Sequence, residues 1–423
     1  MNLSKVGNYV IIYLSHFFKV FSFVLLLPLF TRTFDKDIWG LVVAAQAFSF
    51  WLQIIVEYGY NLSATRSISQ MGEDKQKIIG YIISVFKSKA ILAVSAVIIS
   101  GIAFIFFDSV SRFGSLIVWV VLFAIVQGFA PVWYYLSLNK LHLYSAYDLV
   151  SRISYLILCI VFIKSNSDAF MVFAFGVVTG MVPIVMSLIN FKKFKANTEY
   201  DETKIILVMR DSFPIFLFAI VTSVYTSLNI LILSNYAALS VVAVYSVADR
   251  IVRTSGSLLE PLNRIFYAKM SRDYVAGLEI SRSSLKKVSL VLSMAGILIF
   301  LALQILGSFL ISILAPKYGS SVEYISILSF YIPFLILNNI LGLHIVLPLG
   351  LDKQFNIIFM VSSLCSLIAM MVVVPKYGAL GLAYITIITE VAVSISFVGL
   401  IAACGGVKSM IERFNYENKL FNS

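Results

Sequence analysis

Several charged residues lie within one apolar stretch that is long enough to cross a lipid bilayer. The stretch covers residues 243–264 and contains Asp249, Arg250, Arg253 and Glu260. A charge at the middle of a membrane costs at least about 2.5 to 3.5 kcal/mol, so several charges in one span need a polar environment. This stretch is therefore the first candidate for a binding site.

Most of these polar side chains share one face of the helix that the stretch predicts. At about 100° per residue, Asp249, Arg253, Ser257, Glu260 and Arg264 fall within about 80° of one another. One interpretation is structural, because Asp249 with Arg253 and Glu260 with Arg264 have the i,i+4 spacing of ion pairs. The other is that the stripe faces the interior of a helix bundle and lines a site.

Arg250 favours the second interpretation. It has no carboxylate four residues away on either side. A guanidinium without a counter-ion inside a membrane protein indicates an anionic ligand or a water-filled cavity. Arg250 and Arg253 are thus predicted to bind an anionic headgroup.

Two further cations are predicted to face the same interior. Lys19 lies about eleven residues from either end of the first span and shares a helix face with Ser15 and Ser22, which favours a cavity-facing position over snorkelling to the interface. Arg152 lies four residues after Asp148 and is open to either a structural or a functional interpretation. Lys19 and Arg152 join the arginines above as candidate headgroup ligands.

Four carboxylates are candidates for coupling to a proton or sodium gradient: Asp249, Glu57, Glu260 and Glu390. Glu390 is a lone acid deep in the last span, where it is either simply protonated or a proton carrier. We expect no catalytic residues, no metal site and no cofactor, since the cysteines and histidines are scattered and no GxxxxGK[ST] sequence is present.

The composition predicts that these residues are positioned by membrane helices. Of 423 residues, 60% are hydrophobic and only 13% charged, and the mean hydropathy is +0.95. Soluble domains are about half apolar and a quarter charged. Hydrophobic runs of about 20 residues predict an all-α polytopic membrane protein, not a β-barrel.

Hydropathy predicts twelve transmembrane spans in two groups of six. The predicted spans are 8–30, 38–60, 90–107, 113–135, 146–163, 169–191, 213–233, 241–263, 288–314, 325–349, 355–374 and 379–403. Pro131 and Pro333 occupy near-equivalent places in spans four and ten, where each either breaks or kinks its helix.

The loops alternate in charge, which predicts the topology. Basic residues concentrate at both termini and in every second loop, and the loop after span two is counted with Arg66, Lys75, Lys77, Lys87 and Lys89. By the positive-inside rule both termini are cytoplasmic. The cytoplasmic loops then account for the net charge of +11, and the charge does not indicate a nucleic acid partner.

The spacing of the spans predicts an internal duplication. A shift of about 205 residues places several spans of the first half on spans of the second. The predicted domains are a six-helix lobe at 1–195, a cytoplasmic linker at 196–212, a second six-helix lobe at 213–404 and a cytoplasmic tail at 405–423. With six spans per repeat, the lobes have the same orientation and are related by a pseudo-two-fold axis along the membrane normal.

Four sequence segments carry a family resemblance. They are LLLPLFTRTFDKDIWGLVVAAQAF at 25–48, EYGYNLSATRSIS at 57–69, GFAPVWYYLSLNKL at 128–141 and VYSVADRIVR at 244–253. They resemble the polysaccharide-transport branch of the multidrug/oligosaccharidyl-lipid/polysaccharide flippase superfamily, and most closely O-antigen flippases of the Wzx type.

The resemblance implies a transporter and not an enzyme. Its implied cargo is undecaprenyl-pyrophosphate-linked O-antigen oligosaccharide, moved from the cytoplasmic to the periplasmic leaflet of the bacterial inner membrane by alternating access through a cationic central cavity. The implied partners are membrane lipids, an O-antigen polymerase and a chain-length regulator. The resemblance does not indicate which sugars are carried.

Two alternatives stay open. A multidrug antiporter of the same superfamily carries cationic cargo and predicts more acid than base in the cavity, which is the reverse of what these spans contain. A membrane O-antigen polymerase or ligase needs a site on the periplasmic face, where the predicted loops have about ten residues or fewer.

Overall fold

The computed structural model describes the backbone of residues 3–195, 198–201, 203–223 and 227–421. Within these ranges the regular structure is helical. The chain divides into two compact units, Met1–Ala243 and Val244–Ser423, and each is described by itself. The predicted linker at 196–212 includes residues 196, 197 and 202, which lie outside the described residues.

The N-terminal unit contains eleven complete α-helices in its described part, and a 3-10 helix, Asn166–Phe170, between the eighth and the ninth. They are α1 (Leu3–Thr33), α2 (Lys36–Glu57), α3 (Tyr60–Gln70), α4 (Lys75–Phe106), α5 (Asp108–Ser111), α6 (Leu116–Gly128), α7 (Val132–Ser137), α8 (Leu141–Phe162), α9 (Met171–Lys195), α10 (Ile205–Ser223) and α11 (Asn229–Tyr236). Helix α1 packs along α8, α2 packs against α6, and α8 packs against α9, while α10 lies against α2, α3 and α4.

The C-terminal unit repeats the pattern of long helices separated by short breaks. It begins within α12 (Leu239–Ser257) and continues with α13 (Glu260–Ala276), α14 (Leu278–Leu314), α15 (Ser321–Leu328), α16 (Tyr331–Asn338), a π-helical segment (Asn339–Val346), α17 (Asp352–Ala403) and α18 (Gly406–Phe421). Helix α16 packs against both α14 and α17.

The described helices agree with about twelve membrane spans. Ten are long and apolar enough to cross a bilayer. One of them, α17, is long enough to contain the last two predicted spans. Gly378 lies between these spans and interrupts the helix, with φ 55° and ψ −135°. The predicted eighth span corresponds to α12, which is not among the ten and carries three charged residues within its length.

The predicted start of the third span is wrong. Helix α4 begins at Lys75, so Lys87 and Lys89 lie in the helix and not in the loop to which the charge count assigned them. Asp74 caps this helix by accepting the backbone N–H of Lys77. Lys89 is fully buried. Lys89 directly precedes the apolar run that begins at residue 90, so from the sequence alone it has the appearance of a loop lysine.

The single helix predicted for residues 243–264 is also wrong. Helix α12 ends at Ser257 and α13 begins at Glu260. Pro261 explains the interruption, because a proline ring clashes with the carbonyl four residues earlier, here that of Ser257, and has no N–H to donate.

At the two other prolines, for which a break and a kink were both open, the structure shows a break. Helices α6 and α7 are separated at residues 129–131, and Pro131 immediately precedes α7. Pro333 lies in the first turn of α16, after the break at residues 329–330. A missing N–H costs little in a first turn, since the first four N–H groups of a helix have no partner within it.

Candidate functional site

A polar cavity lies in the C-terminal unit beside the interruption between α12 and α13. Its volume is about 440 Å³, which is within the usual range of ligand pockets. Its polar wall is formed by Arg253, Ser257, Glu260, Asn263, Arg264 and Tyr267. Four members of the predicted stripe, Arg253, Ser257, Glu260 and Arg264, line this cavity, although two helices separated by a break present them and not one helix.

The opposite wall of the cavity is formed by α16 and the π-helical segment. It contains Tyr331, Leu335, Asn339 and Leu343. A π-helical turn widens a helix and displaces its backbone, and such turns are frequent at functional sites. The segment therefore places an amide side chain, that of Asn339, at a cavity whose other polar groups come from α12 and α13.

Arg253 is held at the cavity by a buried carboxylate. Its Nε donates to Asp249 Oδ1 at 2.8 Å, and the Asp249 side chain is only 6% exposed. The guanidinium also lies over the Tyr331 ring, with 5.4 Å from Cζ to the ring centroid. Arg253 Nη2 is buried and has no hydrogen-bond partner among the described residues. The guanidinium is thus fixed at Nε by Asp249, while the N–H groups of Nη2 have no acceptor among the described residues.

A second buried carboxylate lies behind the cavity on α17. Glu390 is 4% exposed and accepts from Asn338 Nδ2 at 2.6 Å. Ser394 donates to Asn338 Oδ1 at 2.7 Å, so the amide of Asn338 is bound on both sides. Helix α16 thus contributes Tyr331, whose ring lies under the Arg253 guanidinium, and Asn338, which binds Glu390.

The cavity wall is braced at Asn263 by a histidine of the π-helical segment. His344 is fully buried, and its Nε2 lies 3.2 Å from Asn263 Oδ1. Tyr274 of α13 donates to the His344 carbonyl at 2.8 Å. Burial raises the pKa of Tyr274, which keeps its hydroxyl protonated as a donor. These bonds fix the amphipathic helix α13 against the π-helical segment.

The remaining polar stripe residues are more exposed. Arg264 Nη2 and Glu260 Oε2 are 3.8 Å apart, with side chains 66% and 47% exposed, so this pair contributes about 0 to 1 kcal/mol at most. Arg250 is half-buried on α12.

The other predicted site residues lie in the N-terminal unit. Arg152 Nε donates to Asp148 Oδ2 at 2.7 Å, and Ser15 Oγ donates to the same oxygen at 2.8 Å, which joins α8 to α1. Lys19 lies on α1 with an exposed side chain. For Arg152 the structural interpretation thus has a concrete basis, although its role in cargo binding stays a prediction.

Glu57 occupies the break between α2 and α3. Its carboxylate accepts the backbone N–H of Gly59 at 2.9 Å and that of Asn61 at 2.8 Å. Tyr58 and Gly59 both adopt positive φ angles, 53° and 76°. Glu57 therefore caps the first turn of α3, and its predicted role in ion coupling has to be separated from this structural one.

Sequence reasoning missed six polar residues of the site and its support: Asn263, Tyr267, Tyr331, Asn338, Asn339 and His344. Asn338 and Asn339 are adjacent in the tenth predicted span, which contains no acidic or basic side chain other than His344. Uncharged polar residues in membrane helices are less costly than charges, so they were not singled out.

The family comparison agrees with the sequence resemblance. A model described as polysaccharide biosynthesis protein matches residues 6–266, which is more than half of the chain. The chain belongs to this family. The match includes α12 and the polar wall of the cavity up to Asn263 and Arg264.

A relative is found over nearly the whole length. The chain is 26% identical over 396 residues to a Shigella dysenteriae protein named "Putative O-antigen transporter", which covers 91% of this chain and 97% of the relative.

Solved structures show the same fold. The chain is similar to a lipid II flippase, MurJ, in an inward closed conformation, with a TM-score of 0.70 at 14% identity, covering 97% of this chain and 91% of that one. It is also similar to an inward-facing MATE family multidrug transporter of the MOP superfamily, with a TM-score of 0.63 at 13% identity and coverages of 94% and 99%. This member of the polysaccharide biosynthesis family is a multi-pass membrane protein with a MOP-type transporter fold.

Proposed function

We propose that the protein is a flippase that moves undecaprenyl-pyrophosphate-linked O-antigen oligosaccharide from the cytoplasmic to the periplasmic leaflet of the bacterial inner membrane. The observation that carries this proposal is Arg253. Arg253 lines a polar cavity, its Nε donates to Asp249, and its Nη2 is buried without a hydrogen-bond partner among the described residues. The relative's name and the transporter fold support translocation as the activity.

Arg253 suits an anionic headgroup. A guanidinium binds phosphate oxygens through several N–H groups in one plane, which an ammonium cannot do. Arg253 and Arg264 line the cavity with a single carboxylate, that of Glu260, while Asp249, which pairs with Arg253, is not part of the lining. Lys19, Arg250 and Arg152 are proposed as additional headgroup ligands.

The remaining groups of the cavity suit a sugar. Asn263, Asn339 and Ser257 offer hydrogen-bond donors and acceptors, and Tyr267 offers an aromatic face. Pockets that recognise polar ligands combine such groups with apolar walls, here Leu335 and Leu343. In the proposed mechanism the polyprenyl chain stays in lipid while the two repeats alternate in access around the headgroup.

Coupling is proposed to use a proton or sodium gradient through Asp249, Glu390, Glu57 or Glu260. Both termini are proposed to be cytoplasmic. The chain itself is proposed to perform no chemistry on the glycan, and an O-antigen polymerase and a chain-length regulator are proposed as functional partners. A multidrug antiporter with cationic cargo is disfavoured by the excess of guanidinium over carboxylate in the cavity lining.

The test is the sidedness of lipid-linked oligosaccharide in inner-membrane vesicles, probed with a membrane-impermeant sugar-modifying reagent. Vesicles without the protein, or with Arg253→Ala, should retain the oligosaccharide on the cytoplasmic face. Arg272→Ala is the matched control, because Arg272 lies exposed on α13 outside the cavity lining. Accumulation of single, unpolymerised units on the periplasmic face would instead establish the polymerase alternative.

A further inference from the structure

The N-terminal unit contains a buried cation that the proposed function does not use. Lys89 lies near the middle of α4 and is fully buried. Its Nζ donates to the Gly128 carbonyl at 2.7 Å. An ammonium group has three donors, and no carboxylate of the described residues lies within ion-pair distance of this one.

The surroundings of Lys89 are the ends of two interrupted helices. Gly128 is the last residue of α6, directly before the break that Pro131 produces. The ring of Tyr60, the first residue of α3, lies 5.9 Å from the ammonium. The break at Tyr58–Gly59 separates α3 from α2. Lys89 thus lies where both helix breaks meet α4.

The electrostatics of these ends favour a positive charge. The C-terminus of a helix carries a partial negative charge on its free carbonyls, and Gly128 presents such a carbonyl. Glu57, at the C-terminal end of α2, interacts electrostatically with the ammonium. Tyr60 is fixed by the hydroxyl of Ser88, which donates to the Tyr60 oxygen at 2.7 Å, so the aromatic face is held toward Lys89.

Transporters with interrupted helices use the same elements to bind a free cation, namely the carbonyls at half-helix C-terminal ends. Here a lysine side chain brings the positive charge instead. We propose that the Lys89 ammonium is a tethered cation, which occupies a site between the two helix breaks that would otherwise take a monovalent cation. The ammonium then joins the end of α6 to the start of α3.

This inference concerns a second site and goes beyond the proposed function. Burying the Lys89 ammonium costs desolvation free energy that an apolar side chain at this position would not cost. The proposal explains why a charged side chain is found there nevertheless. It also implies that this site requires no free sodium while the Lys89 side chain is protonated.

Chemical replacement of the side chain tests the proposal. The probe is methylammonium chloride, with tetramethylammonium chloride at equal concentration as the control for ionic strength. The melting temperature of the full-length protein in detergent should fall by several degrees in Lys89→Ala, and methylammonium should restore about half of the loss or more. Wild type and Lys89→Met, whose sites are filled, should not respond.

The proposal is overturned if Lys89→Ala does not respond to methylammonium, or if wild type and Lys89→Met respond equally. If Lys89→Ala does not survive extraction, its yield in membranes is measured from cells grown with and without methylammonium, beside Lys89→Gln, which retains a donor for Gly128. An unchanged Lys89→Ala yield also overturns the proposal. Because neither measurement requires transport, failure of the flippase proposal would leave this test intact.

Discussion

Asp249 binds one edge of the Arg253 guanidinium and leaves another part of it without a partner. The bond from Arg253 Nε to Asp249 Oδ1 is 2.8 Å long, and Arg253 Nη2 is buried without a hydrogen bond in the described structure. The carboxylate therefore sets the orientation of the arginine, and Tyr331 supports its face. The i,i+4 spacing that suggested mere helix stabilisation is here compatible with a binding role.

Breaking this pair should separate stability from transport. Removing one partner of a buried ion pair leaves the other charge unmatched, at a cost of about 3 to 5 kcal/mol when burial is complete. Arg253 is 24% exposed, so we expect a loss toward the lower end for Asp249→Asn and for Arg253→Gln. The double variant should recover stability but not transport. Thermal unfolding and vesicle sidedness measure the two effects, and a double variant that transports normally would contradict the site.

The Asp148–Arg152 pair is a natural comparison for Asp249–Arg253. It has the same spacing, a 2.7 Å bond and side chains 11% and 27% exposed. Arg152→Gln should destabilise the protein about as much as Arg253→Gln, because the two arginines are similarly buried. Because Arg152 is proposed as an additional headgroup ligand, transport per folded molecule should fall in both variants. A fall in Arg253→Gln alone would show that Arg152 has only the structural role.

Glu57 can be tested by keeping its hydrogen bonds and removing its charge. Glu57→Gln retains one side-chain acceptor for the backbone N–H groups at the start of α3. Glu57→Ala leaves the N–H groups of Gly59 and Asn61 without an acceptor from residue 57. We expect Glu57→Ala to lose about 1 to 2 kcal/mol of stability, and Glu57→Gln to lose less. Loss of transport in a stable Glu57→Gln variant would establish that the charge is needed and would support ion coupling at this residue.

The polar stripe was predictable because charges in a membrane helix are costly and therefore informative. Helical periodicity placed Arg253, Ser257, Glu260 and Arg264 on one face, and the structure places all four at one cavity. Periodicity did not show the interruption at residues 258–259, which follows from Pro261. Pro261 is well tolerated in the first turn of α13. The break is indicated only by the clash of its ring with the carbonyl four residues earlier, that of Ser257.

Lys89 shows where loop assignment by charge fails. The positive-inside rule treats a lysine near the end of an apolar run as a loop residue. The structure instead extends α4 back to Lys75 and buries Lys89 against a carbonyl from α6. That carbonyl becomes available only because Pro131 ends the helix, and the proximity of α4 to α6 is a tertiary contact that no local pattern reports.

Glu390 is the coupling candidate whose charge can be removed with little disturbance. Glu390→Gln keeps a carbonyl oxygen where Asn338 Nδ2 donates, so the variant should fold. If Glu390 carries the coupling proton, transport into vesicles with an imposed pH gradient should become independent of that gradient. Glu323→Gln, at an exposed site in the first turn of α15, is the control. Undiminished dependence in Glu390→Gln would exclude Glu390 as the proton carrier.

Gly128 should be intolerant of a side chain because α6 approaches α2 closely there. A Cβ at this position would lie 2.5 Å from Val56 Cβ and 3.2 Å from the Gln53 carbonyl oxygen. Overpacking of this kind costs about 1 to 3 kcal/mol, so Gly128→Ala should lower the melting temperature and disturb the carbonyl that Lys89 binds. Gly101→Ala is the matched control in α4, since a Cβ there meets nothing within 4 Å and alanine favours the helix by up to about 1 kcal/mol. Equal stability of the two variants would show that α2 and α6 are not in tight contact at Gly128.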